Sequence, residues 1–251
     1  MKFYDINTSI GGWPFRRVSR STADELRQDL TALGAVGALT ANNKALLYSD
    51  TREGNLELID MLKDHQDFFS AAMTIDPTAP QAEEEVKEFA AMKLFKAIRL
   101  LPMFHRYDPA CQEALNIAKL AGKLKLPVIF PSDPVNFRQR HFLAPETALA
   151  YNDLLPLIRQ VPETVFIWTD SNAYIEPPLE PNLYCESGRL NGVYFDSFPE
   201  LARKSVSHMI FGTGAPLRSP EANLIKLYHL EVSEEEKENI CLNNARKLGF
   251  F

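Results

Sequence analysis

Short apolar runs alternate along the chain with stretches whose apolar residues recur at helical spacing. Phe3 to Ile6 reads as a strand reaching Asn7, and a Gly/Pro/Arg loop follows over 10–17. A helix is predicted from Ser21, with Asp24 three residues on as a capping-box-like start. Leu26, Leu30 and Leu33 then fall on one face, and Gly34 ends it. Val36 to Thr40 is the second strand, and Asn55 can cap a helix carrying Leu56, Ile59 and Leu62. Phe69 to Ile75 is the third strand, closed by Asp76-Pro77. A helix over about 80–92 opens on Glu83-Glu84-Glu85, which suits the positive end of its dipole.

The same alternation fills the second half. Leu94 to Leu100 is the fourth strand, and a helix over about 109–124 ends near Gly122. Pro127 to Phe130 is the fifth strand, followed by a long loop from Pro131 to Pro145. The next helix carries Leu154, Leu157, Ile158 and Val161, with Pro156 tolerable only in its first turn. Val165 to Trp168, Asn182 to Cys185 and Met209 to Phe211 are the last three strands. A final helix starts at Ser233, where Glu236 completes a capping box. Strict strand–helix alternation requires parallel strands with right-handed crossovers. Eight such units in 251 residues favour a closed α/β (β/α)8 TIM barrel over an open doubly wound sheet. No linker or low-complexity stretch interrupts them, so residues 1–251 read as a single domain.

Composition narrows the partners. With 27 Lys and Arg against 33 Asp and Glu the net charge is −6, so the chain has no global attraction for phosphate backbones, and nucleic acid is not expected. There is no apolar run of about 18 residues, so no membrane partner is expected, and the first residues lack a signal peptide's apolar stretch. Cys111, Cys185 and Cys241 form neither a disulfide framework nor a zinc pattern and fit free thiols. The default location is therefore cytoplasmic, and a homo-oligomer stays open.

A barrel of this kind carries its active site at the C-terminal strand ends. That rule turns the predicted strands into a residue list. Strand one contributes Asp5, Asn7, Ser9, Arg16 and Arg17; strand two, Asn42 and Asn43; strand three, Asp76. Strand four carries Arg99, and its loop carries His105 and Arg106. Strand five leads to Asp133, Arg138, Arg140 and His141, and strand six to Thr169 and Asp170. Glu186 and Arg189 follow strand seven, and Gly212-Thr213-Gly214 with Arg218 follows strand eight. The arginines point to a carboxylate or phosphate held by bidentate contacts, with Arg99 foremost because a charge within a barrel strand needs a partner. Asp5 and Asp170 can form a proton-transfer pair with Glu186 as a third carboxylate, and His141 or His105 can titrate near neutrality. Trp13, Phe15, Phe104, Phe137 and Phe142 can wall an apolar pocket, or pack the loops onto the rim. His65, His208 and His229 fall outside this face and match no metal motif.

Three stretches resemble the amidohydrolase-related superfamily of metal-dependent hydrolases, decarboxylases and lactonases. They are 69–77 with Lys96-Ala-Ile-Arg99-Leu-Leu-Pro102, then Lys125-Leu-Pro127-Val-Ile-Phe130, and lastly 209–216 with Asn243-Asn244-Ala245-Arg246-Lys247-Leu248. The resemblance implies the same barrel and, in its members, a metal bound by an opening Asp-x-His-x-His pattern and further strand-end ligands. Here the opening reads Asp5-Ile6-Asn7-Thr8-Ser9. The strand-five His falls on Pro131, the strand-six His on about Thr169, and the strand-eight Asp on Gly214. A catalytic metal needs about three nitrogen, sulfur or carboxylate donors, so no metal and no other cofactor is expected.

The expected activity is hydrolysis of a small carboxylated ester or lactone, or a related decarboxylation, without a metal. Asp170 or His141 would activate water, with Asp5 as proton-transfer partner. Arg16, Arg99, His105, Arg138, Arg140, Arg218, Asn7 and Thr169 would bind the anionic substrate. The alternative is an inactive barrel that binds a small anion or a protein partner. A third reading recruits metal ligands from His105, His141, Asp133 and Glu186.

Overall fold

The computed structural model describes residues 1–134, 140–171, 180–188 and 206–251. Eight strands form one parallel sheet in chain order: β1 (Phe3–Ile10), β2 (Ala35–Asn42), β3 (Phe69–Ile75), β4 (Phe95–Leu100), β5 (Val128–Pro131), β6 (Phe166–Thr169), β7 (Leu183–Glu186) and β8 (Met209–Ile210). Beyond the two residues of β8, backbone bonds carry the sheet round to β1. Ile6 N donates to Phe211 O (3.1 Å), Gly214 N to Asn7 O (2.8 Å) and Ser9 N to Ala215 O (2.9 Å). The alternation therefore yields the barrel it predicts.

Period-two alternation places two cores. Phe3, Met73, Phe95, Phe130, Phe166 and Phe211 pack outward against the helices. Ile6, Leu39, Ala72, Ala97, Ile129, Ile167, Tyr184 and Ile210 fill the barrel's interior, one from each strand. Below them the Tyr4 hydroxyl bonds Ser70 Oγ (2.6 Å), and its ring stacks on Phe250 and Phe251. Two residues further along the strands, towards the C-terminal mouth, the same faces carry Thr74, Arg99, Thr169 and Glu186, and all four are buried. The interior thus changes from hydrocarbon to charge within one layer.

The outer layer includes α1 (Ala23–Ala32), α2 (Thr51–Leu62), α3 (Ala82–Ala90), α4 (Pro102–His105), α5 (Gln112–Leu124), α6 (Tyr151–Gln160), α7 (Pro220–Tyr228), α8 (Glu234–Glu238) and α9 (Asn244–Lys247). Three helix predictions need correction. The α1 capping box is Thr22 with Glu25, one residue after Ser21 and Asp24, because the longer Glu side chain reaches back to the Thr22 backbone N–H. Asn55 does not cap α2, whose N-cap is Asp50; it lies mid-helix, where its amide exchanges two 2.9 Å bonds with the backbone of Thr74. Pro156 sits in the second turn of α6 and is accommodated there. In addition, α5 runs past Gly122 to Leu124 and is ended by Lys125 in the left-handed conformation. The Ser233–Glu236 box starts α8 as predicted.

Asn55→Ala leaves a buried donor and a buried acceptor of β3 unpaired, and should cost about 2–3 kcal/mol in urea unfolding. A loss under half a kcal/mol would mean that Asn55 does not anchor α2 to the barrel.

Candidate active site

The site begins with a buried carboxylate at the β1–β8 seam. Asp5 accepts from Asn7 N (3.1 Å) and Thr213 N (3.0 Å) through Oδ1, and from Thr213 Oγ1 (2.6 Å) through Oδ2. The Gly212-Thr213-Gly214 loop therefore spends two of its N–H groups inside the fold: Thr213 N serves Asp5 and Gly214 N serves Asn7 O. It is a tight turn that grips β1.

Asp170 follows β6 directly with φ 60°, a left-handed conformation that Asp tolerates better than most residues. Its Oδ1 meets Arg218 Nη1 at 2.7 Å and accepts from Asn7 Nδ2 at 3.1 Å; Thr169 Oγ1 donates to its Oδ2 at 3.2 Å. The backbone N–H of Asp170 donates to Glu186 Oε2 at 3.0 Å, and Gly188 N donates to Glu186 Oε1 at 2.6 Å. Asn7 Nδ2 also reaches Glu186 Oε2 at 3.5 Å, so one amide bridges two carboxylates.

Glycine is required beneath this cluster. A Cβ on Gly212 would lie 2.7 Å from Glu186 Cγ and 2.9 Å from Asn7 Cβ. A Cβ on Gly214, at φ +73°, would lie 2.8 Å from Arg218 Nη1. The position where the family resemblance implies a carboxylate is therefore a bare backbone on which a guanidinium rests.

These surroundings push the three acids apart. Burial raises Asp5 to about 7 against the bonds from Thr213 and Asn7, and the Asp170 charge adds to the rise. Burial and then the Asp170 charge raise Glu186 to about 7, with Arg218 opposing. Burial works against ionised Asp170 as well, but Arg218, Arg99 and the bonds it accepts outweigh it and hold the carboxyl below its usual range. Arg99, 7% exposed, is itself discouraged from charging by burial and supported by Asp170, and its Nη1 has no hydrogen-bond partner among the described residues.

The signs fix a pH dependence of stability. Asp5 and Glu186 have native pKa values above their ordinary 3.8 and 4.5, so the native state binds the extra protons. Their contribution is complete below pH about 4 and is lost as pH rises through about 7, by up to about 1.4 kcal/mol per pH unit and group. Asp170 acts oppositely, losing its contribution as pH falls below its ordinary 3.8. Urea unfolding from pH 4.5 to 8 should show stability falling, with a shallower slope in Asp5→Asn. A rising profile would mean that neither acid is protonated in the fold.

The remaining predicted residues scatter over the rim. Exposed Arg16 and Arg17 line a cleft of about 370 Å³ with Arg20, Asp29 and Arg218. Arg140 Nη2 pairs with Asp133 Oδ1 at 3.3 Å, and its Nη1 donates to Glu146 O. His141 stacks on Phe15 at 5.1 Å, touches Phe142, and accepts from Leu143 N through Nδ1. His105 ends α4 and meets Ala45 O at 3.4 Å through Nε2. Trp13, Leu46 and Leu101 form a small apolar cluster packed by Phe15 and Phe104, while Phe142 is 86% exposed. Arg138, Phe137 and Arg189 lie outside the described residues. Gly188 and Thr74 escaped the sequence reading, which placed Thr213 on the mouth without its tie to Asp5, since these roles depend on a turn N–H, the β3–β4 register and the β8–β1 seam.

Solved structures share this architecture along nearly the whole chain. A dihydroxybenzoic acid decarboxylase from a Polaromonas species, with bound manganese and the inhibitor 2-nitroresorcinol, is 14% identical, covering 98% of this chain and 96% of that one at a TM-score of 0.72. A protein assigned as an amidohydrolase from Staphylococcus aureus is 15% identical over 99% of each chain at 0.72. A protein assigned as 2-pyrone-4,6-dicarboxylic acid hydrolase from Acinetobacter baumannii, with citric acid bound, is 11% identical over 100% of each chain at 0.66. At such identities the likeness establishes the fold, an amidohydrolase-like TIM barrel. No family model and no curated protein sequence matches the chain. No described helix is long and apolar enough to cross a membrane.

The manganese in the Polaromonas structure raises the question of whether this donor set fits a metal. Both oxygens of Asp5 are engaged by Thr213 and Asn7, one oxygen of Asp170 is held by Arg218, and Asn7 presents an N–H₂ to the carboxylates. No described group of three His, Cys, Asp or Glu side chains can hold an ion. Two guanidiniums stand close enough to Asp170 to shift its ionisation. The described residues therefore do not fit a resident divalent metal.

Proposed function

We propose that the chain is a hydrolase of small carboxylated esters or lactones that works through buried side chains without a metal. The observation that carries this reading is the placement of two buried acids side by side: Asp170 Oδ1 lies 2.7 Å from Arg218 Nη1, which favours its ionised form, while Glu186 accepts from Asp170 N at 3.0 Å and is pushed up to about 7 by burial and the Asp170 charge. Such divergence marks an acid–base assignment. Arg99 anchors the substrate carboxylate. Glu186 takes a proton from water as its oxygen attacks the acyl carbon, then returns the proton to the leaving oxygen as the C–O bond breaks. Asp170 and His141 serve less well as the base, one because its ion pair makes it weakly basic, the other because its ring is packed in the rim loop. Asp5 holds Thr213 and sets the shape of the mouth. The neighbours support the substrate class, being assigned to decarboxylation of a dihydroxybenzoic acid and to hydrolysis of a pyrone dicarboxylic acid.

Chelator-treated protein, screened against small carboxylated lactones and esters, should show turnover that added manganese or zinc does not raise. Turnover appearing only with metal would overturn the proposal. Stabilisation by carboxylates with no turnover on any substrate would favour the inactive, anion-binding barrel.

A further inference from the structure

We propose that the cleft between the β1–α1 loop and the β8–α7 loop binds a phosphate monoester, held by Arg16 and Arg17. The inference goes beyond the hydrolase reading and holds whether or not the chain turns over an ester. The β1–α1 loop has its own architecture. Gly11 N donates to Ser21 O at 2.8 Å and closes the base of the loop, and Asn43 Nδ2 donates to Gly11 O at 3.2 Å. Within it Trp13 and Phe15 meet edge to face at 5.4 Å, against Leu46 and Leu101. Leu217 of the β8–α7 loop packs on the same cluster, so both walls of the cleft share one support. Compact loops with joined ends are frequently functional. Arg20 adds a strained turn: its φ is 63°, in the left-handed region, and its Nε lies 2.8 Å from Asp29 Oδ2. A long side chain keeps that backbone only where its surroundings impose it, which is common at ligand sites.

The arginines of the cleft are of two kinds. Arg20 is paired with Asp29, and Arg218 with Asp170. Arg16 and Arg17 make no ion pair and no hydrogen bond among the described residues. Both line the cleft of about 370 Å³ and an adjoining one of about 710 Å³ beside Trp13 and Phe15. The remaining acids on these walls have partners of their own: Glu221 accepts from Ser219 Oγ, and Glu25 accepts from Thr22 Oγ1 at 3.0 Å. Two uncommitted guanidiniums therefore stand together in a chain whose net charge is −6. Each presents a fork of N–H donors that fits a pair of oxygens. A carboxylate has two oxygens and fills one fork. A phosphate monoester has three free oxygens and close to two charges at neutral pH, and serves both. The smaller cleft already falls in the range of small-molecule sites, roughly 300–1,000 Å³, so it has room for carbon beyond the phosphate.

Calorimetry with glycerol 3-phosphate, inorganic phosphate and glycerate tests this. Arg16→Gln and Arg17→Gln should each weaken glycerol 3-phosphate about tenfold and leave glycerate, the carboxylate counterpart, unchanged. Both side chains are exposed, and either single variant suffices if the other fails to fold. Lys119→Gln combined with Lys123→Gln, which removes charge from exposed positions of α5, should leave the ester's affinity in place. So should Arg99→Met, which removes the carboxylate anchor of the mouth. Ester binding untouched by both arginine variants, or lost in Arg99→Met, would place the ligand elsewhere and overturn the inference. An equal loss for glycerate would show an unselective anion surface and overturn it too. Inorganic phosphate bound more tightly than the ester would make the ligand the free ion and overturn the ester assignment.

Discussion

Glu186→Gln should lower kcat/KM for ester or lactone hydrolysis by about 10²–10⁴, the usual contribution of a positioned acid–base group. The loss should fall on kcat, because Arg99 rather than Glu186 holds the substrate carboxylate. The amide fits the same space, but its NH₂ must face either Gly188 N or the pair of donors from Asp170 N and Asn7. That mismatch should cost about 1–2 kcal/mol of stability, small beside the kinetic effect. In the parent protein the rate should climb with pH to a plateau above about 7, as Glu186 loses its proton. In the variant that limb should vanish. Steady-state kinetics from pH 5 to 9 reads both effects, and a limb that survives the substitution would move the base elsewhere.

Arg218→Met should produce the largest loss of stability, about 2–4 kcal/mol at pH 7, because it strands the buried Asp170 carboxylate. The pair is short, at 2.7 Å, with Asp170 buried and Arg218 partly open to solvent. Arg99 remains and limits the damage, since it also favours ionised Asp170. Without Arg218 the Asp170 carboxyl moves up, so its proton is taken at higher pH in the variant than in the parent. The gap between the two proteins should therefore narrow as pH falls through about 4. Arg218→Lys, keeping charge without the fork, should recover part of the loss. A gap that stays constant across pH would show that the lost stability comes from packing alone.

The barrel was legible in the sequence because its determinants are local. Apolar runs at strand length, helix starts such as Ser233 with Glu236, and unbroken alternation specify parallel strands before any contact is known. The polar layer was partly legible for the same reason: Asp5, Asn7, Arg99, Thr169, Asp170, Glu186 and Arg218 follow from counting strand ends. What could not be read was who holds whom. Asp170 was a candidate base, yet its pairing with Arg218 depends on Gly214 having no side chain. Thr74 looked like an ordinary strand residue until the β3–β4 register set it beside Arg99. Asn55 looked like a cap because Asn favours caps, and tertiary contact with Thr74 overrode that preference. His141 and His105 illustrate the converse, since a residue type suited to proton transfer carries no information about what its ring will pack against.

The grip of Thr213 on Asp5 also bears on how the protein is made. Asp5 leaves the ribosome 208 positions before Thr213. Until Thr213 emerges and docks, β1 lacks its β8 neighbour, and its acid is an ordinary exposed one with ordinary acidity. Synthesis therefore delivers the oriented mouth all at once, with the closing of the ring, and truncated products released before that point should be inert however well their earlier units have folded.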